Sequence, residues 1–94
     1  MATFDVVHVK EQGQDLIIVL VAPAFEYEPA AKQQALITTL TACAHQAGLA
    51  GTVVPVWRKG ATFGFLAPNP WHAFFRSLTP ALLAANVNTK LTCG

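Results

Sequence analysis

Glu26 and Glu28 stand two apart in Phe25-Glu26-Tyr27-Glu28. In extended backbone, residues two apart point the same way. Such a pair of carboxylates could hold a cation or do acid–base work. The plainer reading is acidic dressing of a helix that starts at Pro29, near its positive end. His8, His45 and His72 are scattered, with no ligand spacing and no cysteine pair beside them, so no zinc site is expected. His72 follows Asn69-Pro70-Trp71 at a helix start, where an anion could be met. Its plainer role is that of a polar residue on a half-buried helix. Cys43 and Cys93 fall at inward positions and are expected to be small apolar core residues with free thiols. Nucleophile-elbow, phosphate-loop, dinucleotide and His-Glu-x-x-His motifs do not occur. No catalytic residue, cofactor or metal is therefore expected.

These side chains are positioned by elements that the sequence pattern suggests. Residues 4–10 are rich in valine and predict a strand, and 11–15 a polar turn. Leu16 to Ala22 is an unbroken apolar run, as in a central strand covered on both faces. From Ala30 to Ala47 the apolar period is helical, with Leu36, Leu40, Cys43 and Ala47 on one stripe and Gly48 as the stop. Residues 52–57 and 61–67 predict two strands joined by Arg58-Lys59-Gly60, with Pro55 placing the first at a sheet edge. Residues 70–85 are helical, either as one helix kinked at Thr79-Pro80 or as two that abut. Residues 87–93 alternate as a half-buried strand.

The order β-βαββαβ leads to an expected α+β fold for residues 1–94 as one domain. It is a ferredoxin-like two-layer sandwich, with two helices on one face of a mostly antiparallel sheet and an extra N-terminal strand. Joining the hairpin at residues 58–60 sets Phe63 opposite Pro55 and Phe65 opposite Val53. Val53, Pro55, Trp57, Phe63 and Phe65 would then share one open face. In that setting Phe63-Gly64-Phe65-Leu66 resembles the aromatic-Gly-aromatic-aliphatic signature of the RNA-recognition motif family. The resemblance covers those four residues and the element order. It implies stacking of single-stranded nucleic acid on Phe63 and Phe65 beside Trp57, Arg58 and Lys59. Ala61 and Thr62 stand where that family has a basic residue and glycine, and the 16–21 strand lacks an outward aromatic.

Composition points elsewhere. Hydrophobic residues make up 53% of the 94 residues and charged residues only 12%, so part of the surface must be neutral or apolar. Net charge is +1, although all 5 acids lie before Pro29 and five of the bases lie after it. The favoured expectation is a non-catalytic binding or adaptor module whose partner is a second copy or another protein, met through the open sheet face. The alternatives are nucleic-acid binding on the same aromatics and a small ligand or enzymatic site at residues 25–28. Met1 to Asp5 lacks a basic-then-apolar pattern, so no secretory leader is expected. The run Leu16–Ala24 is too short to span a bilayer, which needs about 20 residues. With free thiols, these features lead to an expected cytoplasmic setting without membrane partners.

Overall fold

In a computed structural model, which describes residues 2–93, the apolar runs become a five-stranded mixed sheet. Its strands are β1 (Ala2–Glu11), β2 (Gln14–Leu20), β3 (Thr52–Lys59), β4 (Thr62–Phe65) and β5 (Thr89–Cys93). Three helices, α1 (Ala30–Gln46), α2 (His72–Arg76) and α3 (Pro80–Ala85), complete a small α+β domain. Short 3₁₀ turns at Pro23–Tyr27 and Asn69–Trp71 precede α1 and α2. The strand order is β4-β3-β2-β1-β5. β2 and β3 are parallel, linked through α1, and the other three neighbouring pairs are antiparallel.

This order corrects the ferredoxin-like expectation. That topology places another strand between the two joined by the first helix, whereas β2 pairs directly with β3, Ile17 against Val53 and Ile18 against Val54. Nor is the first strand surplus. β1 lies between β2 and β5, pairing Val6 with both Val19 and Thr89.

The helices do not share a face. Val6, Ile17, Val19, Val53 and Leu91 pack with Leu40 and Ala44 of α1. Val7, Leu16, Ile18, Val54 and Val56 pack instead with Trp71, Phe75 of α2 and Leu83 of α3. The cause is visible along the strands: β1, β2 and β3 carry apolar side chains on both faces, and a two-layer sandwich would leave one set in water. Burying a large apolar side chain is worth roughly 1.5–3 kcal/mol, so both faces acquire a helical layer.

Pro55 does not put β3 at an edge. β3 lies inside the sheet, where Pro55 is buried and its carbonyl accepts from Leu66 N–H at 3.2 Å, just past the end of β4. The missing proline donor therefore falls where the neighbouring strand has already stopped.

Residues 70–85 form separate helices. Thr79 Oγ1 accepts from Leu82 N–H at 3.1 Å and Pro80 opens α3, so the second start signal makes a new helix.

The expected free thiols are also corrected: Cys43 of α1 and Cys93 of β5 are joined in a disulfide, with Cα atoms 5.9 Å apart. α1 passes over the end of β5, and the inward positions that made both cysteines look like core residues bring them together. Disulfides persist in oxidising compartments, so the bond removes one ground for expecting a reducing cytoplasm. Among the described residues no helix is long and apolar enough to cross a membrane.

Candidate functional site

The six residues expected to form one surface are divided between the two faces of the sheet. The β3–β4 turn is Gly60-Ala61, two residues long, with Lys59 paired to Thr62. Gly60 has φ +60°, which suits the first central position of a type II′ turn. Phe63 thus pairs with Arg58 and Phe65 with Val56, an odd displacement from the expected register. An odd displacement exchanges the faces of one strand relative to its neighbour.

Phe63 and Phe65 consequently lie half-buried on the face that α2 and α3 cover. The Phe65 ring stacks on Phe75 at 5.1 Å and meets the His72 ring edge-on at 5.4 Å. His72 Nε2 lies 2.9 Å from the Ala67 carbonyl, so this half-buried imidazole closes its own loop. Val53 and Trp57 are buried on the other face. Trp57 packs against Phe25 at 5.1 Å and over Gly64, where an added Cβ would stand 2.5 Å from the indole. Glycine at 64 is what allows the ring to lie flat on β4. Arg58 and Lys59 are exposed at the end of β3.

The two glutamates also separate. Glu26 turns to the β3–β4 hairpin, where its Oε1 accepts from Lys59 Nζ at 3.0 Å and from Trp57 Nε1 at 3.4 Å. Glu28 is exposed on the far side of the 3₁₀ turn, beside the start of α1. Glu26 thus forms a surface ion pair, and the two carboxylates do not converge. The hydrogen bond from Lys59 holds Glu26 below the usual carboxylate range, helped by the Trp57 N–H and opposed by partial burial. A lowered folded-state pKa stabilises at pH above the ordinary value and is lost as pH falls through the lowered one. The Trp57 indole N–H resonance should therefore titrate with a midpoint below that of an ordinary glutamate. Glu26→Gln should abolish this step, and an unchanged titration in that variant would refute the contact.

The structure does assemble one continuous surface that the sequence pattern did not reveal. α1 is the one α-helix on its side of the sheet, next to the 3₁₀ turn that carries Phe25, and it leaves an apolar trough along its flank above β1 and β5. One stretch, of about 570 Å³, is lined by Phe4, Leu36, Leu40, Cys43, Thr92 and Cys93. A second, of about 360 Å³, shares Phe4 and Leu36 and runs on to Phe25, Glu28 and Lys32. The wall that α1 presents to solvent here is Thr38, Thr39, Ala42 and Gln46, all uncharged and exposed. Along the trough runs the outer edge of β5, the last strand of the sheet. Asn88 N–H donates to the Val6 carbonyl, and the Asn88 side chain bonds both backbone groups of His8. Even residues of β1 therefore face β5, and the N–H and C=O groups of Lys90 and Thr92 point outward.

A smaller cleft of about 190 Å³ opens at the C-terminal ends of the parallel pair, lined by Leu20, Val56, Arg58, Phe63, Pro80 and Leu83. Open sheets often bind ligands there, but small-molecule sites usually hold about 300–1,000 Å³. Among the described residues no three His, Cys, Asp or Glu side chains come together as a metal site requires. Compared with family models, curated proteins and solved structures, the chain matches none.

Proposed function

We propose that this domain is a non-catalytic interaction module that pairs with a second copy of itself through the outer edge of β5. The observation that carries the reading is the continuity of that edge with the neutral wall of α1 and the apolar trough between them. Two β5 strands related by a two-fold axis through Leu91 would set Lys90 opposite Thr92 of the second copy. Both outward-facing residues would then form hydrogen-bonded pairs, with no lysine opposite lysine. The axis would be perpendicular to the sheet, so both α1 helices would lie on one face and close each other's trough. Thr38, Thr39 and Ala42 are small enough for two helices to approach closely, and Lys32 is the one charged residue of α1. This surface also accounts for the low charge content. A lone edge strand is otherwise a liability, here blunted by the Lys90–Asp5 ion pair at 2.8 Å.

Sedimentation at high micromolar concentration tests the reading. The parent chain should run as a dimer, and Ala42→Glu should convert it to a folded monomer by placing two carboxylates across the axis. A parent that stays monomeric would sink the proposal. The nucleic-acid reading needs aromatic faces free to stack, and with Phe63 and Phe65 half-buried on the face that α2 and α3 cover it loses the observation that motivated it. A cytoplasmic setting stays with this reading only if the Cys43–Cys93 bond can open there, since the cytosol keeps thiols reduced.

A further inference from the structure

We infer that the Cys43–Cys93 disulfide is an exchangeable latch, opened by a dithiol, that holds the edge strand β5 on the sheet. Both cysteines are half-buried and both line the open trough, so a reductant reaches the bond from solvent. The bond joins the middle of the structure to its outermost strand: Cys43 lies on α1 and Cys93 is the last residue of β5. Little else ties β5 down. Its one buried side chain is Leu91. The Lys90–Asp5 ion pair and the Thr3–Thr92 hydroxyl contact at 3.2 Å are both exposed, and such contacts contribute little. β5 pairs with β1 alone and has nothing on its other side. A five-residue edge strand with one core anchor belongs to the part of a fold that opens first.

The chemistry is two-electron thiol–disulfide exchange. A thiolate of the dithiol attacks one sulfur of the pair and forms a mixed disulfide. The other cysteine leaves as thiolate and takes up a proton. The second thiol of the reductant then closes its own ring, displacing the remaining cysteine. The protein gains two thiols and the dithiol becomes a cyclic disulfide. With the latch open, β5 frays from β1 and the outward groups of Lys90 and Thr92 lose their fixed register. The consequence for self-association rests on the dimer reading above, whereas the latch itself does not.

Amide hydrogen exchange on the full chain, oxidised and then treated with dithiothreitol, tests the latch. Alkylation under native conditions should add two groups after reduction and none before. Amides of Leu91 and Cys93 and of Phe4 and Val6, which face each other across β1 and β5, should exchange about tenfold faster in the reduced protein through a local opening insensitive to low urea, while Ile17, Ile18 and Val54 exchange only through global unfolding, with its full urea dependence. Cys93→Ser should behave as the reduced form without reductant. Equal exchange of β5 in both states would overturn the inference. So would β5 exchange that carries the same full urea dependence as Ile17, Ile18 and Val54 in the reduced protein, which would make the bond a global staple only, or a bond reduced only in denaturant. Sedimentation on the same samples separates the two ideas. An oxidised monomer whose β5 still loosens on reduction keeps the latch and removes the dimer. A dimer that persists unchanged while β5 exchange is unaffected keeps the dimer and removes the latch.

Discussion

Phe75→Ala is expected to lower the unfolding free energy by about 3–5 kcal/mol, the usual loss when a fully buried phenylalanine is truncated. Phe75 has no exposed surface, stacks on Phe65 at 5.1 Å and meets Phe74 at 5.3 Å. It is also the main anchor of α2, a helix of five residues that has too few internal hydrogen bonds to stand alone. Removing the ring opens a cavity and unseats the layer that shields Ile18, Val54 and Val56. Domains of this size have about 5–15 kcal/mol in hand, so the variant should sit near its folding threshold. Urea titration should show a lower midpoint at similar slope. Phe65→Glu probes the same contact from the sheet side. A carboxylate against the Phe75 ring loses part of its water, and the variant should be strongly destabilised. If Phe63 and Phe65 lay on an open face, Phe65→Glu would behave as a surface change, within about 0.5 kcal/mol, while Phe75→Ala would still be costly. Such tolerance would show that the β3–β4 register is wrong.

That register marks the boundary between what local sequence determines and what it leaves open. The β2 run predicts a strand covered on both faces, and Leu16 to Val19 are buried on both. The stripe of α1 at Leu36, Leu40 and Cys43 and the stop at Gly48 are local and match, although Ala47, expected on that stripe, is exposed; the start of α3 at Thr79-Pro80 matches too. Two-sided burial of β2 was legible, yet a two-layer sandwich contradicts it. Taking that run at face value, together with Val6 and Val7 of β1, would have demanded a helix on each side. The β3–β4 turn fails for a subtler reason. Arg58-Lys59-Gly60 and Gly60-Ala61 both offer a glycine with positive φ, and only the pairing energy of whole strands chooses between them. An odd difference in register then moves Phe63 and Phe65 from an open face to the helix-covered one, where they are half-buried. The trough and the β5 edge depend on strand order, which no local pattern encodes. Nor does any spacing rule join Cys43 to Cys93 across a separation of 50 residues. Both positions read correctly as inward, and their meeting follows from α1 crossing above β5.

Replacing both cysteines, Cys43→Ala with Cys93→Ala, is expected to remove about 4 kcal/mol of stability, by the loop-closure entropy of a chain cross-linked over 50 residues. Most of this loss arises in the unfolded ensemble, which the bond otherwise restricts, so it need not appear as any change in the native core. For a domain of this length each kcal/mol moves the melting temperature by about 4–8 °C, and the midpoint should fall by roughly 15–30 °C. The single variants decide whether the bond or the side chains are responsible. A disulfide is lost as soon as either partner goes, so Cys43→Ala and Cys93→Ala should each cost nearly as much as the pair. Two independent packing losses would instead add, and each would be small, because both side chains are only half-buried. Adding dithiothreitol to the parent should reproduce the double variant, and adding it to the double variant should do nothing. A double variant within about 1 kcal/mol of the oxidised parent would mean that the bond does not constrain the chain in solution. Global stability and the latch are then separable readouts. Thermal or urea unfolding reports the entropy removed from the denatured state, and exchange at Leu91 reports whether β5 opens while the rest of the sheet stays closed.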